Sequence, residues 1–572
     1  MKVAEQGRKL AAFCRRVEAR LADASMRPWI VVLWMFGVFS LADVPGMPVL
    51  TFPLWLQWVV VVCIGFLKAL LWGVLYEVCR KIRVARIAVI AGMVLFALLS
   101  VINTGCYLLY GFGITHRLLV VVAQTNGREI AEFLPGLGAN LLQIKNIALF
   151  LGAAVVMTGL CVSVKHWPRR VWQALCGLLT VGAVAGLVWL TFGIKSGKSY
   201  LTIYGRTAKY AIDVYKENRA FANRACKGVP FPNPEKLQTK ASEITVVLVL
   251  GESASREALS VYGYPLVTTP YCAAMRDSLY IFRDAIGCST STAMNIERIL
   301  TFEEDSAPDG SWYRYPALID MLKKSRFKTF WLSNQERTGL MSNSSGVMAE
   351  DADVVEYVGA QSSEDQLMAK YDTELLPYFG KAMADTAPRK FIFLHLLGSH
   401  VEYSNRYPAS CAYFTADSVL AKIRNPWLNR EKAQTVAQYA NSVRFTDALL
   451  GNIINVAATE QRPVVVIYFS DHGENVYTDR DFIGRDPKFV EIPFIVYTNA
   501  AYRRMSPAVI DMMRAGVERP FTTANVIYTL MTLSGISHPL YDATKDVLSP
   551  HFLQRPRYVD GKIFSGSLRQ PQ

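Results

Sequence analysis

Charge is scarce in this 572-residue chain: Asp, Glu, Lys and Arg together make up 19% of it, against roughly 25% in an average soluble domain. Hydrophobic residues reach 52% and mean hydropathy is +0.20, which excludes disorder and low complexity and argues against an all-soluble enzyme. None of the ten cysteines forms a CxxC pair, so zinc-ribbon and thioredoxin-type motifs are absent. No small-residue cleavage site follows the basic stretch Met1–Arg27, which is too long for the n-region of a cleavable signal. No basic stretch carries a nucleic-acid motif. The net charge of +14, from 61 Lys+Arg against 47 Asp+Glu, therefore points to topogenic charge and to anionic membrane lipids as partners.

The apolar excess is concentrated in the first 200 residues. Apolar stretches fall at about Pro28–Leu41, Leu54–Val78, Ile87–Tyr110, Ile147–Val164 and Val171–Phe192. The first is short of the roughly 20 residues a span needs, so it starts a turn earlier. Arg80, Lys81, Arg83 and Arg86 lie between the second and third, and Lys165, Arg169 and Arg170 between the fourth and fifth. The loop after the first has no Lys or Arg. By the positive-inside rule this predicts five spans, a cytoplasmic N-terminus, and export of everything after about Lys195. The expected domains are a membrane part over 1–195, a bridging helix and linker over 196–242, and a soluble domain over 243–572. Within the first, His116–Phe133 suits a helix lying at the interface. The linker is the polar run Gly228–Ser242, with three prolines.

From Glu243 onward short apolar strands alternate with amphipathic helices, the pattern of an α/β domain. Ile244–Gly251, Phe391–Leu397 and Val464–Phe469 read as buried parallel strands. Thr373–Ala384, Arg430–Ala457 and Thr522–Leu533 read as helices. Sites in such sheets form at the carboxyl ends of strands. That singles out Glu252 and Ser253, Ser399 and His400, and Ser470, Asp471 and His472. Glu252, Asp471 and His472 offer two carboxylates and an imidazole, a ligand set suited to Zn2+ or Mn2+ with a position left for a reacting oxygen. Taken singly, an acid after a strand is often a helix cap, and His395, inside an apolar strand, reads as a satisfied core histidine. Yet three of only seven histidines fall in two strand-end segments, and that coincidence favours a metal site.

Three segments, GESASREALSVYGYPLVTTP (Gly251–Pro270), HLLGSHVEYSNRYP (His395–Pro408) and YFSDHGE (Tyr468–Glu474), closely resemble the bacterial phosphoethanolamine transferases. These belong to the alkaline phosphatase/sulfatase superfamily, decorate lipopolysaccharide and include the mobile colistin-resistance enzymes. The resemblance implies a five-helix inner-membrane domain plus a periplasmic α/β domain of alkaline phosphatase/sulfatase-like fold. It implies a threonine nucleophile in the turn Cys288–Ala293, with family spacing pointing to Thr292 and Thr290 and Ser291 as competitors. The implied metal shell is Glu252, Thr292, Asp471 and His472 around Zn2+, with Mn2+ as the alternative. The implied donor is phosphatidylethanolamine. His400 resembles a family histidine that contacts the transferred phosphoryl group or a second metal. The family's Asn-x-x-x-Thr-x-x-x-Glu donor pattern is met at Thr125 and Glu129, while Val121 replaces the Asn.

The departures also inform. Lipid A-modifying members carry a further histidine that supports a second metal or the phosphate; here no histidine lies between His472 and His538, and Lys488 takes that place as a substrate-binding cation. Those members close the nucleophile turn with a disulfide, where this chain has Arg298. The exported cysteines Cys226, Cys272, Cys288 and Cys411 allow three full pairings. These features resemble the branch that modifies lipopolysaccharide core sugars, which implies a core heptose acceptor, with lipid A phosphate, periplasmic glucans or a protein as alternatives. The alternative activity is a phosphoglycerol transferase or phosphohydrolase of the same superfamily. A sulfatase would need a Cys/Ser-x-Pro-x-Arg motif, and none occurs.

Overall fold

The computed structural model describes residues 81–110, 231–304, 312–335, 344–358, 371–425, 428–477 and 486–564, with scattered positions between 35 and 215. The chain divides into two compact units, one of residues 1–120 and 134–214, the other of 121–133 and 215–572.

In the first unit, helix α1 spans Arg83–Tyr110. Its 28 residues would extend about 42 Å, ample for a hydrocarbon core of about 30 Å. Among the described residues it is the one helix long and apolar enough to cross a membrane. It contains the expected third span and starts four residues earlier, at Arg83. Val94, Leu95, Leu98 and Ile102 lie on its exposed side. The other expected spans lie largely outside the described residues.

The second unit is organised by strand β1, Ile244–Gly251, every residue of which is buried. Its side chains alternate between two cores: Val246, Leu248 and Leu250 face one, Val247 and Val249 the other. An all-apolar run of this length fits only the middle of a sheet covered on both faces. The remaining strands are β2, Leu279–Ile286; β3, Lys328–Ser333; β4, Val354–Tyr357; β5, Arg389–His395; β6, Val464–Ser470; β7, Glu491–Thr498; and β8, Phe521–Thr522. They form one eight-stranded sheet in the order β4-β3-β5-β1-β6-β7-β2-β8. Only β7 runs against the others. The carboxyl ends of β1, β2, β5 and β6 thus share one edge, and β1 sits between β5 and β6.

Two helices matter for that edge. α2, Thr292–Ile299, follows β2 directly. α3, Arg430–Thr459, packs Val436, Ala440, Val443 and Leu450 into the core shared with Val247 and Val249. Asn429 starts α3 by accepting the Lys432 N–H (2.8 Å), which satisfies one of the donors a helix start leaves open. Pro463 separates its end from β6, and proline cannot continue a helix.

Part of the proline-rich run before β1 is built onto the sheet domain. Gln238–Thr239 pairs antiparallel with Ile536–Ser537, and His538 Nε2 lies 3.1 Å from the Asn233 carbonyl. Backbone pairing of this kind needs no apolar pattern, so a polar composition does not reveal it.

Candidate metal and transfer site

Strand register assembles the site. Gly251 lies opposite Ser470 in the β1–β6 pair, so the next residues, Glu252 and Asp471, emerge side by side. The Asp471 N–H donates to the Gly251 carbonyl at 3.1 Å. The chain then turns sharply at Ser253, a non-glycine residue at φ +57°, a left-handed conformation that costs about 1–2 kcal/mol. Hydrogen bonds hold it there. Ser253 N–H donates to Asp471 Oδ1 (3.2 Å). Tyr439 of α3 donates its hydroxyl to the Ser253 carbonyl (2.8 Å) and accepts the Ser255 N–H (2.8 Å).

The loop after β5 closes on the other side of Glu252. Gly398, at φ +52°, approaches so closely that a Cβ there would lie 2.7 Å from the Glu252 nitrogen. Buried Asp372 secures this loop by accepting the N–H groups of Leu397 and Gly398, each at 2.8 Å. Ser399 N–H donates to the Glu252 carbonyl (2.9 Å), and half-buried His400 follows. His395, at the end of β5, is buried, and burial pushes its imidazole down to about 4. Its Nδ1 has no hydrogen-bond partner among the described residues, so it is not the satisfied core histidine its apolar strand suggested.

The ligand atoms of Glu252, Asp471 and His472 lie within 4.8 Å of one another, and all three side chains are buried. His472 Nδ1 faces the Gly473 carbonyl at 2.8 Å. A carbonyl can only accept, so Nδ1 carries the proton and the Nε2 lone pair is left for the cluster. Nε2 stands 3.2 Å from Glu252 Oε1 and 3.6 Å from Asp471 Oδ2. Thr292, the first residue of α2, donates its hydroxyl to Glu252 Oε2 (2.9 Å) and lies 3.3 Å from His472 Nε2. Of the turn's hydroxyl residues, Ser289 and Thr290 are buried and Thr292 is half-buried.

Two observations fit a divalent cation. Asp471 Oδ1 accepts the N–H groups of Ser253 (3.2 Å) and His472 (2.7 Å), whereas its Oδ2 is buried and has no hydrogen-bond partner among the described residues. Burial, then repulsion from Glu252, push the Asp471 carboxyl up to about 7. Burial also opposes ionisation of Glu252, but without a cation on its Nε2 His472 can take a second proton there. The hydrogen bond and charge of that imidazolium, with the charge of His400 and the Ser253 hydroxyl, outweigh burial and hold the Glu252 carboxyl well below its ordinary range. Two carboxylates, an imidazole nitrogen and an alcohol, one oxygen unsatisfied, are a donor set that Zn2+ or Mn2+ would complete.

Other sequence candidates lie elsewhere. Lys488 backs Gly473 through its carbonyl, but its ammonium turns to Glu257 (3.0 Å) and the Tyr477 ring. Thr125 and Glu129 lie outside the described residues, as does Cys226. Cys272, Cys288 and Cys411 are thiols, so the structure adopts none of the three full disulfide pairings. Arg298 is buried and makes a 3.9 Å ion pair with Glu303. Tyr439, Asp372 and Gly398 escaped the sequence reading, because each acts through a fold contact that no local pattern announces.

The Sulfatase family model matches residues 244–536. Over 500 residues the chain is 27% identical to phosphoethanolamine transferase EptC of Escherichia coli, covering 83% of this chain and 85% of that one. The crystal structure of the C-terminal periplasmic domain of Escherichia coli EptC, in complex with Zn, is 29% identical with a TM-score of 0.52, covering 56% of this chain and 91% of that one. The integral membrane protein lipooligosaccharide phosphoethanolamine transferase A from Neisseria meningitidis shares the fold, with a TM-score of 0.62 at 19% identity over 91% of this chain and 98% of that one. The strand-end site described above thus sits in a chain that belongs to the Sulfatase family of the alkaline phosphatase superfamily, with phosphoethanolamine transferases as its relatives.

Proposed function

We propose that this protein moves phosphoethanolamine from phosphatidylethanolamine, through a covalent intermediate on Thr292, to a lipopolysaccharide acceptor, a core heptose first among the candidates. The observation that carries this reading is the Thr292 hydroxyl at the mouth of a buried acid–acid–imidazole cluster, 2.9 Å from Glu252 and 3.3 Å from His472. That the relative EptC is a phosphoethanolamine transferase, with a periplasmic domain that forms a complex with Zn, supports the donor chemistry and the metal.

Glu252, Thr292, Asp471 and His472 would hold Zn2+, with Mn2+ as the alternative. A divalent cation there supplies the positive charge that acidifies an alcohol and offsets charge on phosphoryl oxygens. The chain's own contribution is positioning. The Thr292 hydroxyl attacks phosphorus, the ester bond to diacylglycerol breaks, and the threonine proton ends on the departing diacylglycerol. Thr292 opens a helix, so the free N–H groups of its first turn favour an anionic phosphoryl group. An acceptor hydroxyl then attacks phosphorus, the bond to the Thr292 oxygen breaks, and the acceptor's proton ends on that oxygen, restoring the threonine. His400, beside Glu252, is assigned to the transferred phosphoryl group, and Lys488 to substrate binding. Thr125 and Glu129 are assigned to the donor, because a carboxylate offsets the cost of burying the ethanolamine ammonium.

In this reading the chain is an inner-membrane protein with five spans, a cytoplasmic N-terminus and a periplasmic catalytic domain over 243–572, so the donor never leaves the bilayer. The test is peptide mass spectrometry across Cys288–Arg298 after incubation of the metal-loaded protein with phosphatidylethanolamine, and in parallel with phosphatidylglycerol. A phosphoethanolamine adduct on Thr292 with the first lipid alone is expected. A phosphoglycerol adduct would replace the proposed donor. No adduct with either lipid would overturn the covalent mechanism.

A further inference from the structure

Thr292 can act only if its backbone is held where the hydroxyl meets Glu252 and His472, and the turn before it has little regular structure of its own. The side chain that organises this turn is Asn295, one helical turn further on and fully buried. Its Nδ2 donates to the carbonyls of Ser289 (2.7 Å) and Ser291 (3.1 Å). Its Oδ1 accepts the Ser289 N–H (3.2 Å), the Cys288 thiol (3.2 Å) and the Thr523 hydroxyl (3.3 Å). The backbone partners fix which way the amide faces, since the Ser289 N–H can only donate and the two carbonyls can only accept.

Thr523 closes the arrangement from another part of the fold. It follows β8, which pairs with the end of β2, and its hydroxyl accepts the Cys288 N–H at 3.1 Å. Cys288 N–H, the Thr523 hydroxyl, the Asn295 amide and Ser289 N–H therefore form a buried ring that ties the end of β2, the first turn of α2 and β8 together. Among the described residues no hydrogen bond joins Asn295 or Thr523 to the Glu252, Asp471 or His472 side chains, although Gly287 packs between the Asn295 amide oxygen and the Asp471 carbonyl. The ring's hydrogen-bonded route to the reacting hydroxyl therefore runs through Thr292.

We infer that Asn295, seconded by Thr523, is a positioning residue that sets where the Thr292 hydroxyl stands, separately from metal binding. This rests on the transferase reading above. Asn295→Asp keeps the side-chain shape but turns an oxygen toward the Ser289 and Ser291 carbonyls, which displaces the turn; Thr523→Val removes the ring's second hydroxyl and Thr523→Ser restores it.

The experiment measures single-turnover adduct formation on residue 292 with phosphatidylethanolamine in detergent, together with zinc content. In Asn295→Asp, adduct formation at saturating donor should slow about 100-fold, the cost of roughly an ångström of misplacement, with donor KM within about threefold of wild type and zinc content unchanged. Thr523→Val should slow about tenfold, as for one lost buried hydrogen bond, and Thr523→Ser should recover. Slowing that follows zinc loss, or adduct rates within about threefold of wild type in both Asn295→Asp and Thr523→Val, would overturn the assignment. If Asn295→Asp does not fold, the Thr523 pair decides. If the wild-type protein forms no adduct, the transferase reading fails on its own and hydrogen exchange over 287–292 judges the ring. Faster exchange in the two disruptive variants and not in Thr523→Ser supports it; equal exchange overturns it.

Discussion

Replacing Asp471 by Asn should move metal binding and metal-free stability in opposite directions. In the folded chain Asp471 titrates near 7, raised first by burial and then by the charge of Glu252, whereas an unfolded aspartate titrates near 3.9. Between those values the folded protein keeps a proton that the unfolded chain releases. The metal-free protein therefore loses stability at this site as pH rises from about 4 to about 7. About three units at about 1.4 kcal/mol each make the ionised carboxylate roughly 4 kcal/mol unfavourable at pH 8. Asp471→Asn removes that charge, and its amide oxygen can still accept the N–H groups of Ser253 and His472 that now reach Oδ1. In excess chelator at pH 8 the variant should melt several degrees above wild type, and near pH 4 the two should melt together. With metal the order reverses. The substitution puts an N–H2 group where the unsatisfied Oδ2 stands, so affinity should fall beyond the roughly 10–100-fold seen for changes behind a ligand. Melting curves at two pH values, with and without chelator, and metal content after dialysis measure both halves. A variant that keeps stoichiometric metal, or that gains nothing in chelator at pH 8, would refute the reasoning.

Thr292→Ala should abolish the adduct seen by mass spectrometry, while melting in chelator moves by about 1 kcal/mol, the worth of its hydrogen bond to Glu252. Tyr439→Phe removes only the hydroxyl that holds Ser253 and Ser255. It should cost about 1–3 kcal/mol of stability for the buried groups left unpaired and weaken zinc about 10–100-fold; an unchanged zinc titration would separate Ser253 from the site. Glu129→Gln should raise the donor KM at unchanged metal content, and an unchanged KM would remove Glu129 from donor binding.

Much of the candidate site was legible because its acidic and imidazole residues directly follow apolar strands. A run such as Val464–Phe469 announces itself locally, and the polar residues after it are placed at the sheet edge by chain continuity alone. The helix Arg430–Thr459 was legible for the same reason, through its repeating apolar face. The sequence alone therefore determined the division into an apolar first part and an α/β second part, and the candidates Glu252, Asp471 and His472, whereas the turn around Thr292 was indicated only by the resemblance to a family.

What tertiary structure decided is everything that depends on which distant segments meet. The register of Gly251 against Ser470 brings the two carboxylates together, and no local pattern contains a register between strands so far apart in the chain. The same holds for Tyr439 in the middle of a helix that reads simply as core, for Asn295 and Thr523 joined across 228 positions, and for Lys488, whose ammonium is taken by Glu257. The proline-rich segment before β1 looked like a tether because backbone pairing leaves no trace in hydropathy. Apolar periodicity reports which face of an element is buried; hydrogen bonds between loops depend on the atoms that the assembled sheet brings within 3 Å or so, and only the folded chain specifies those.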